Sequence, residues 1–172
     1  MENRALILLG ILMAQSQHGY QIHEFIERNL SNITDMKKAT AYATLDKLSK
    51  EGYVDVHTEQ EGNRPPRKVY TINDKGRSYF LTLLRGNLSL AGSMYYPGDI
   101  GVMFLDHLPT EEVVECLKGR LHQLEGMIEW HKKAPRHGKG KGVDLAIEHQ
   151  LVMITAEHDW LTIVIERLKE DI

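Results

Sequence analysis

The sequence predicts a mainly α-helical chain with one small β-hairpin, in which two long antiparallel helices follow a compact N-terminal domain. Two observations support this prediction. Apolar residues recur every three or four positions in residues 20–30, 41–48, 114–128 and 147–168, as on one face of an α-helix. Between Val54 and Ile72 they alternate with polar residues around a turn at residues 61–63, as in two paired β-strands.

The composition is that of a folded globular protein. The 172 residues have 42% hydrophobic and 26% charged content, and the formal net charge is −3. Residues 1–85 contain 12 Lys+Arg and 10 Asp+Glu (+2), whereas residues 86–172 contain 9 and 14 (−5). A local basic surface is therefore available in the first half, and such a surface is what a nucleic-acid partner requires.

The sequence shows no sign of a membrane segment or of a secretory leader. The apolar run from Ala5 to Ala14 is much shorter than the ~20 residues that span a bilayer, and it lacks the flanks of a signal peptide. The single cysteine, Cys116, has no partner for an intramolecular disulfide and none at metal-ligand spacing. We therefore expect a cytoplasmic protein.

Three short helices are predicted in the first 51 residues. Residues 4–14 are apolar nearly all round, as in a buried helix, and residues 20–30 form a second, amphipathic helix. A third helix is expected to be capped by Thr34 or Asp35 and to end at Gly52, which suits the C′ position. The apolar residues on its inward face are Ala41, Leu45 and Leu48.

A β-hairpin and a fourth helix complete the N-terminal domain. The strands are residues 54–59 and 68–72, and the turn chemistry between them places the hairpin tip at residues 62–66. Asn73 or Asp74 can then cap the fourth helix. Helices followed by a hairpin in this order are typical of a winged helix-turn-helix, which we assign to residues 1–87.

The second half is predicted to consist of a connection and a helical dimerisation domain. Residues 88–108 are assigned to the connection, because the stretch from Leu90 to Gly101 is rich in Gly, Ser and Tyr and is broken by Pro97-Gly98. Residues 109–172 form the helical domain, in which Thr110 can cap the first long helix. A loop from Ala134 to Gly142, rich in glycine and basic residues, leads to the last helix.

The last helix carries an apolar seam whose members are spaced alternately by four and three residues, as in a heptad repeat. Apolar residues off this seam, such as Val152 and Ile163, are too many for two helices to bury, so we expect a homodimer. His158, the polar member, is interpreted as fixing the register, with a pH or metal response as the alternative. The predicted dimerisation residues are Ile147, Leu151, Ile154, His158, Leu161, Ile165 and Leu168.

Several motifs resemble those of the PadR family of bacterial transcriptional regulators. The segments that match are HGYQI at residues 18–22, ATAY at 39–42, EGY at 51–53, PPRKVY at 65–70 and DKG at 74–76. The resemblance covers residues 5 to about 80, and the overall layout is similar over the whole chain. The chain departs from the family at Ala39, where glycine is usual, and at Ala43, where proline is usual, and both changes favour an uninterrupted helix. The resemblance implies a DNA-binding transcriptional repressor.

The third helix and the wing are the predicted contacts to a double-stranded DNA operator. In a helix-turn-helix the second helix of the pair lies in the major groove, where lysine and threonine can contact base edges and phosphates. Basic wing residues suit the backbone or the adjacent minor groove. In the PadR-like motif Tyr42 has two interpretations, contact with a phosphate or packing against the second helix. The predicted DNA-binding residues are Lys37, Lys38, Thr40, Tyr42, Thr44, Lys47, Arg64, Arg67 and Lys68.

Aromatic residues on both sides of the connection suggest an apolar cleft between the two domains. Such a cleft would suit a small aromatic or phenolic effector, and the alternative is that these residues are packed core. The residues proposed for this effector site are Tyr95, Tyr96, Phe104, Trp130 and Trp160.

Other classes of function receive less support from the sequence. No nucleophile elbow or phosphate-binding glycine loop is present, and the histidine pairs 122/131 and 149/158 do not have the i, i+4 spacing of helical metal ligands. We therefore expect no catalytic centre, metal site or cofactor. The alternatives are a MarR-like regulator and a winged-helix module used for protein contact without DNA binding.

Overall fold

A computed structural model describes residues 2–14, 17–30, 34–60, 66–92, 96–135 and 141–170. The chain divides into two compact units, Met1–Ser93 and Met94–Ile172. Within the described ranges, none of the helices combines the length and the apolar character that crossing a membrane requires.

The described residues of the first unit form four helices and a small sheet. Its helices are α1 (Glu2–Ala14), α2 (Gly19–Asn29), α3 (Lys38–Lys50) and α4 (Asp74–Ser89). Helix α1 is apolar on nearly every face and packs against α3 and α4, so it forms the centre of the core. Residues from α1, α2, α3 and the sheet share this core, among them Leu8, Leu9, Ile22, Leu45 and Tyr70.

The sheet has three antiparallel strands in the order β1-β3-β2. Strands β2 (Val54–Glu59) and β3 (Arg67–Ile72) form the predicted hairpin, with Val54 opposite Ile72 and Glu59 opposite Arg67. Strand β1 (Gln17–His18) pairs with the other edge of β3. This strand was not predicted, because two residues are too few to show an alternating pattern.

The ends of α3 correct one prediction and confirm another. Helix α3 begins at Lys38 with Lys37 at the N-cap position, so neither Thr34 nor Asp35 caps it. Oγ1 of Thr34 instead accepts a hydrogen bond from the backbone N–H of Met36 (3.3 Å), in a turn that precedes the helix. At the other end Gly52 has φ +77°, and the N–H groups of residues 52 and 53 bond to the carbonyls of residues 49 and 48. This is a Schellman motif with glycine at C′, as predicted.

Helix α4 is capped by Asn73, which is one of the two predicted residues. The Asn73 side chain accepts a bond from the N–H of Gly76 (3.0 Å). The helix continues to Ser89, past Gly86.

In the described part of the second unit there are one short α-helix, a 3-10 turn and two long α-helices. Helix α5 (Gly98–Met103) and a 3-10 turn (Leu105–His107) lie within the stretch that was predicted to be a connection. The long helices are α6 (Thr110–Lys132) and α7 (Gly142–Glu170). Thr110 is the first helical residue of α6 and Pro109 occupies the N-cap position, so the predicted threonine cap is wrong.

Helices α6 and α7 pack against each other along their apolar stripes. The stripe of α6 contributes the buried Val114, Leu124 and Ile128, and α7 contributes Leu161 and Ile165. The fold is therefore mainly α-helical with a β-hairpin, and the prediction of the fold class is confirmed.

Candidate nucleic-acid interface

Helix α3 presents two faces of different chemistry. Ala41, Leu45 and Leu48 are buried in the core of the first unit. On the opposite side, Ala39, Ala43 and Lys50 are exposed and Asp46 is partly exposed, with spacings of four and three residues. Because 3.6 residues make one turn, these four positions form a single outward stripe.

The residues predicted on α3 differ in how far they reach into solvent. Lys37, Lys38 and Lys47 are exposed, whereas Thr40 and Thr44 are partly buried. The hydroxyl of Thr44 donates to the carbonyl oxygen of Thr40 (2.8 Å), so its proton is engaged within the helix. The Thr44 oxygen can still accept a hydrogen bond from an outside partner, and its methyl group can pack against an apolar one.

Tyr42 packs against the first residue of α2. A side chain at Gly19 would place its Cβ only 2.6 Å from Cε1 of Tyr42 and 3.2 Å from Cε2 of Tyr70, so the two rings approach the α2 backbone closely because this residue is glycine. The ring of Tyr42 also lines a cavity of about 380 Å³ with Arg67 and Lys68. The two interpretations of Tyr42 are thus compatible, since one ring both packs on α2 and borders the basic wing.

The basic start of β3 lies beside α3. Arg67 and Lys68 are exposed, and Nζ of Lys68 donates to Oδ1 of Asp46 (3.1 Å). This hydrogen bond raises the pKa of Lys68 above its usual value. The third predicted wing residue, Arg64, lies outside the described residues. The outward stripe of α3 and the start of β3 therefore form one continuous surface.

Asp46 was not among the residues predicted from the sequence. A signal was available, since Asp46 follows Ala39 by seven positions and Ala43 by three and so lies on the side of α3 away from the core. Its partner Lys68 is 22 residues away, and this contact could not be read from local spacing.

Burial also affects Tyr70, the aromatic residue of β3 behind this surface. Its side chain is fully buried, and its hydroxyl has no hydrogen-bond partner within the described part of the chain. Burial raises the pKa of Tyr70 above its usual value. An unpaired buried hydroxyl is costly, so this position reduces the stability of the first unit.

The predicted seam of α7 faces inward within the second unit. Leu161 and Ile165 are buried, and Ile147, Leu151, Ile154, His158 and Leu168 are partly buried. Nδ1 of His158 lies 3.1 Å from Oδ1 of the adjacent Asp159. Among the described residues, no three His, Cys, Asp or Glu side chains are grouped as a metal site would need.

A second apolar stripe of α7 remains uncovered. Leu145, Val152 and Ile163 are 55%, 59% and 51% exposed. Their spacings of 7 and 11 residues are both close to whole helical turns, so the three side chains lie on one face. This face is on the opposite side of α7 from Leu161.

Two of the five aromatic residues proposed for an effector lie together. Tyr96 and Trp160 line a cavity of about 270 Å³ in the second unit, together with Arg120 and Glu157, which form an ion pair. Phe104 and Trp130 are 57% and 59% exposed and are not part of this cavity's lining. Tyr95 lies outside the described residues.

Comparisons with known proteins find similarity to PadR-like transcriptional regulators. Residues 8–81 match the family described as "Transcriptional regulator PadR-like family". The chain is 22% identical over 121 residues to the negative transcriptional regulator PadR of Bacillus subtilis, and this match spans 70% of the chain and 66% of that relative, slightly less than two thirds of its length.

The fold of the whole chain is similar to crystal structures of Bacillus subtilis PadR. The structure of that protein in complex with operator DNA has a TM-score of 0.84 at 18% identity, with 98% of each chain covered. Its structure in complex with p-coumaric acid has a TM-score of 0.80 at 19% identity, with 95% of this chain and 97% of that chain covered. At these identities the likeness shows a shared fold.

Proposed function

We propose that this chain, whose residues 8–81 match the PadR-like family of transcriptional regulators, is a homodimeric repressor that binds operator DNA sequence-specifically. The observation that carries the proposal is the single surface formed by the outward stripe of α3 and the basic start of β3, joined by Lys68 and Asp46. The similar Bacillus subtilis protein is a negative regulator and has been crystallised with operator DNA, which supports this role. The regulator would act in the bacterial cytoplasm, where the chromosome lies, and we propose no catalytic role for it.

We expect some residues of this surface to contact base edges and others to contact phosphates. With α3 in the major groove, its first turn, which follows Lys37 and contains Lys38 and Thr40, lies nearest the base edges. We expect Lys47 to contact a phosphate and the methyl group of Thr44 to pack on thymine. Tyr42 and the wing residues Arg64, Arg67 and Lys68 would bind the backbone beside the groove.

A dimer is needed because one α3 reads only one half-site. Two copies related by a twofold axis would present their α3 helices to half-sites about one helical turn apart. We propose residues 1–87 as the DNA-binding domain, residues 88–108 as the connection and residues 109–172 as the dimerisation domain. The inward seam stabilises the α6–α7 pair, and the exposed stripe Leu145, Val152 and Ile163 supplies apolar surface for the second copy.

The salt dependence of DNA binding tests the wing. Replacing Arg67 and Lys68 by alanine should weaken binding to all duplexes and make the slope of log affinity against log salt shallower by up to about two units. The control replaces Lys132 and Lys133, an adjacent basic pair near the end of α6, and should leave the slope unchanged. Fluorescence anisotropy with a labelled duplex measures both variants. If the wing variant and the wild type have equal slopes, the wing does not contact DNA phosphates.

We also propose that a small aromatic effector releases the DNA. The cavity bordered by Tyr96 and Trp160 offers stacking faces beside polar groups, and the similar Bacillus subtilis protein has been crystallised with p-coumaric acid. Two dimer geometries are relevant, one that presents the α3 helices to both half-sites and one that misplaces them. A ligand releases DNA only if it binds the second geometry more tightly than the first.

Tryptophan fluorescence titrated with phenolic acids, alongside operator binding, tests the effector. A ligand in this cavity should change the emission of Trp160 and lower operator affinity. Trp160→Ala should abolish both responses, whereas Trp130→Ala, outside the cavity lining, should keep them. If no phenolic acid changes either signal, the aromatic residues are structural and the effector proposal is wrong.

A further inference from the structure

Asp46 belongs to the outward stripe of α3, the face that would meet the base pairs if α3 lies in the major groove. It shares the outward stripe with Ala39 and Ala43, whose side chains are only methyl groups. Small residues on this stripe let the helix backbone approach the base pairs closely. A short carboxylate at Asp46 can then reach a base edge that larger neighbours would keep at a distance.

The Asp46 carboxylate already has a partner in the protein alone. Nζ of Lys68 lies 3.1 Å from Oδ1 of Asp46. The Lys68 side chain is 57% exposed and the Asp46 side chain is 48% exposed. Both groups are therefore open to solvent and to a partner. An ion pair this exposed changes an equilibrium by about fivefold at most, so DNA can compete for either member.

The two members have different natural partners in DNA. A carboxylate in the major groove accepts from the N4 amino group of cytosine, whereas it is repelled by phosphates and by the acceptor atoms of guanine. A lysine ammonium binds phosphates. At a site with cytosine in the correct place, Asp46 can bind the base and Lys68 can move to the backbone.

We propose that Asp46 is a specificity-determining residue that couples base reading to phosphate binding through Lys68, an inference that rests on the proposed DNA-binding function. On duplexes that offer Asp46 no amino group, Lys68 stays with the carboxylate and one phosphate contact is not made. On the operator, cytosine binds Asp46, and Lys68 is released to a phosphate. Asp46 thus lowers non-specific affinity and favours the operator.

A double-mutant cycle on the full chain separates this coupling from a simple charge effect. With duplexes of random sequence, Asp46→Asn should raise affinity about three- to tenfold and steepen the salt slope by about one unit, because Lys68 becomes free to bind a phosphate. In a Lys68→Ala background the same change should leave the slope unaltered and raise affinity less than about twofold. Asp106→Asn makes the same change of net charge in the second unit and serves as the control.

Selection of binding sites from randomised duplexes tests the base contact. The wild type should select a cytosine at one position of each half-site, and Asp46→Asn should lose that preference or replace it with adenine, which asparagine binds. Lys68→Ala should keep the cytosine while binding more weakly.

The outcomes distinguish this inference from the proposed function. If Asp46→Asn raises affinity equally with and without Lys68, or selects the same bases as the wild type, the coupling is overturned while DNA binding stands. If the wild-type chain shows no salt-dependent binding to duplex DNA, the proposed function fails and the role of Asp46 fails with it.

Discussion

The exposed stripe of α7 gives a sharp prediction about assembly. Ile163 is 51% exposed in the single chain, so about half of its side chain remains to be buried by a second copy. Full burial of an isoleucine side chain contributes about 1.5–3 kcal/mol, so half of it contributes roughly 1 kcal/mol per copy. A symmetric dimer carries the change twice, which gives roughly 2 kcal/mol, or about 30-fold in the dissociation constant.

Ile163→Asp should therefore weaken the dimer by at least about 30-fold, since the buried carboxylate adds a desolvation cost to the lost apolar area. Sedimentation velocity over a range of protein concentrations measures the dissociation constant. Helix content by circular dichroism should stay unchanged, because this side chain is not part of the α6–α7 core. Leu161→Asp is different, since Leu161 is fully buried within one chain and its replacement should unfold the second unit.

Gln123→Asp, at an exposed polar position of α6, is the control for adding a carboxylate to a long helix. It should leave the dissociation constant within about twofold of the wild type, because surface substitutions usually have small effects. If Ile163→Asp dimerises as tightly as Gln123→Asp, the exposed stripe is not the dimer contact and the reasoning from exposure is refuted.

Three further predictions concern the stability of the first unit, which amide hydrogen exchange of the full chain measures for each variant. Gly76→Ala should lower the free energy of unfolding by about 2–3 kcal/mol, because the new Cβ would lie 2.1 Å from a backbone carbonyl oxygen. Gly86→Ala in the same helix meets nothing within 4 Å and should raise the free energy of unfolding by about 0.5–1 kcal/mol. Asn73→Ala should cost about 1–2 kcal/mol through the lost cap, and equal stability would contradict the capping role. Tyr70→Phe should stabilise by about 1 kcal/mol, because it removes a buried hydroxyl without a partner in the described chain. Because the pKa of Tyr70 is raised in the folded state, wild-type stability, measured by urea unfolding followed by circular dichroism, should fall as pH rises above about 10. Tyr70→Phe should reduce that fall, and an identical pH profile for the two proteins would contradict the burial effect.

Local patterns predicted most of the fold, because the periodicity of a helix or strand is set by near neighbours. The inward face of α3, the Gly52 terminus and the Asn73 cap each depend on residues a few positions apart. The start of α3 was placed too early, because Thr34 makes the kind of side-chain bond that also caps helices but uses it in a turn. Helix α5 was missed because its six residues, Gly98–Met103, include two glycines and show no helical period.

The sequence by itself determined the order of the elements, their inward and outward faces and the position of the basic wing, since each follows from spacing along the chain. Only the tertiary structure decided which distant groups meet. The packing of Tyr42 on Gly19 and the bond between Asp46 and Lys68 join segments 22 or more residues apart. Side-chain position across such distances depends on how the helices and strands pack in three dimensions, and spacing along the chain does not encode it.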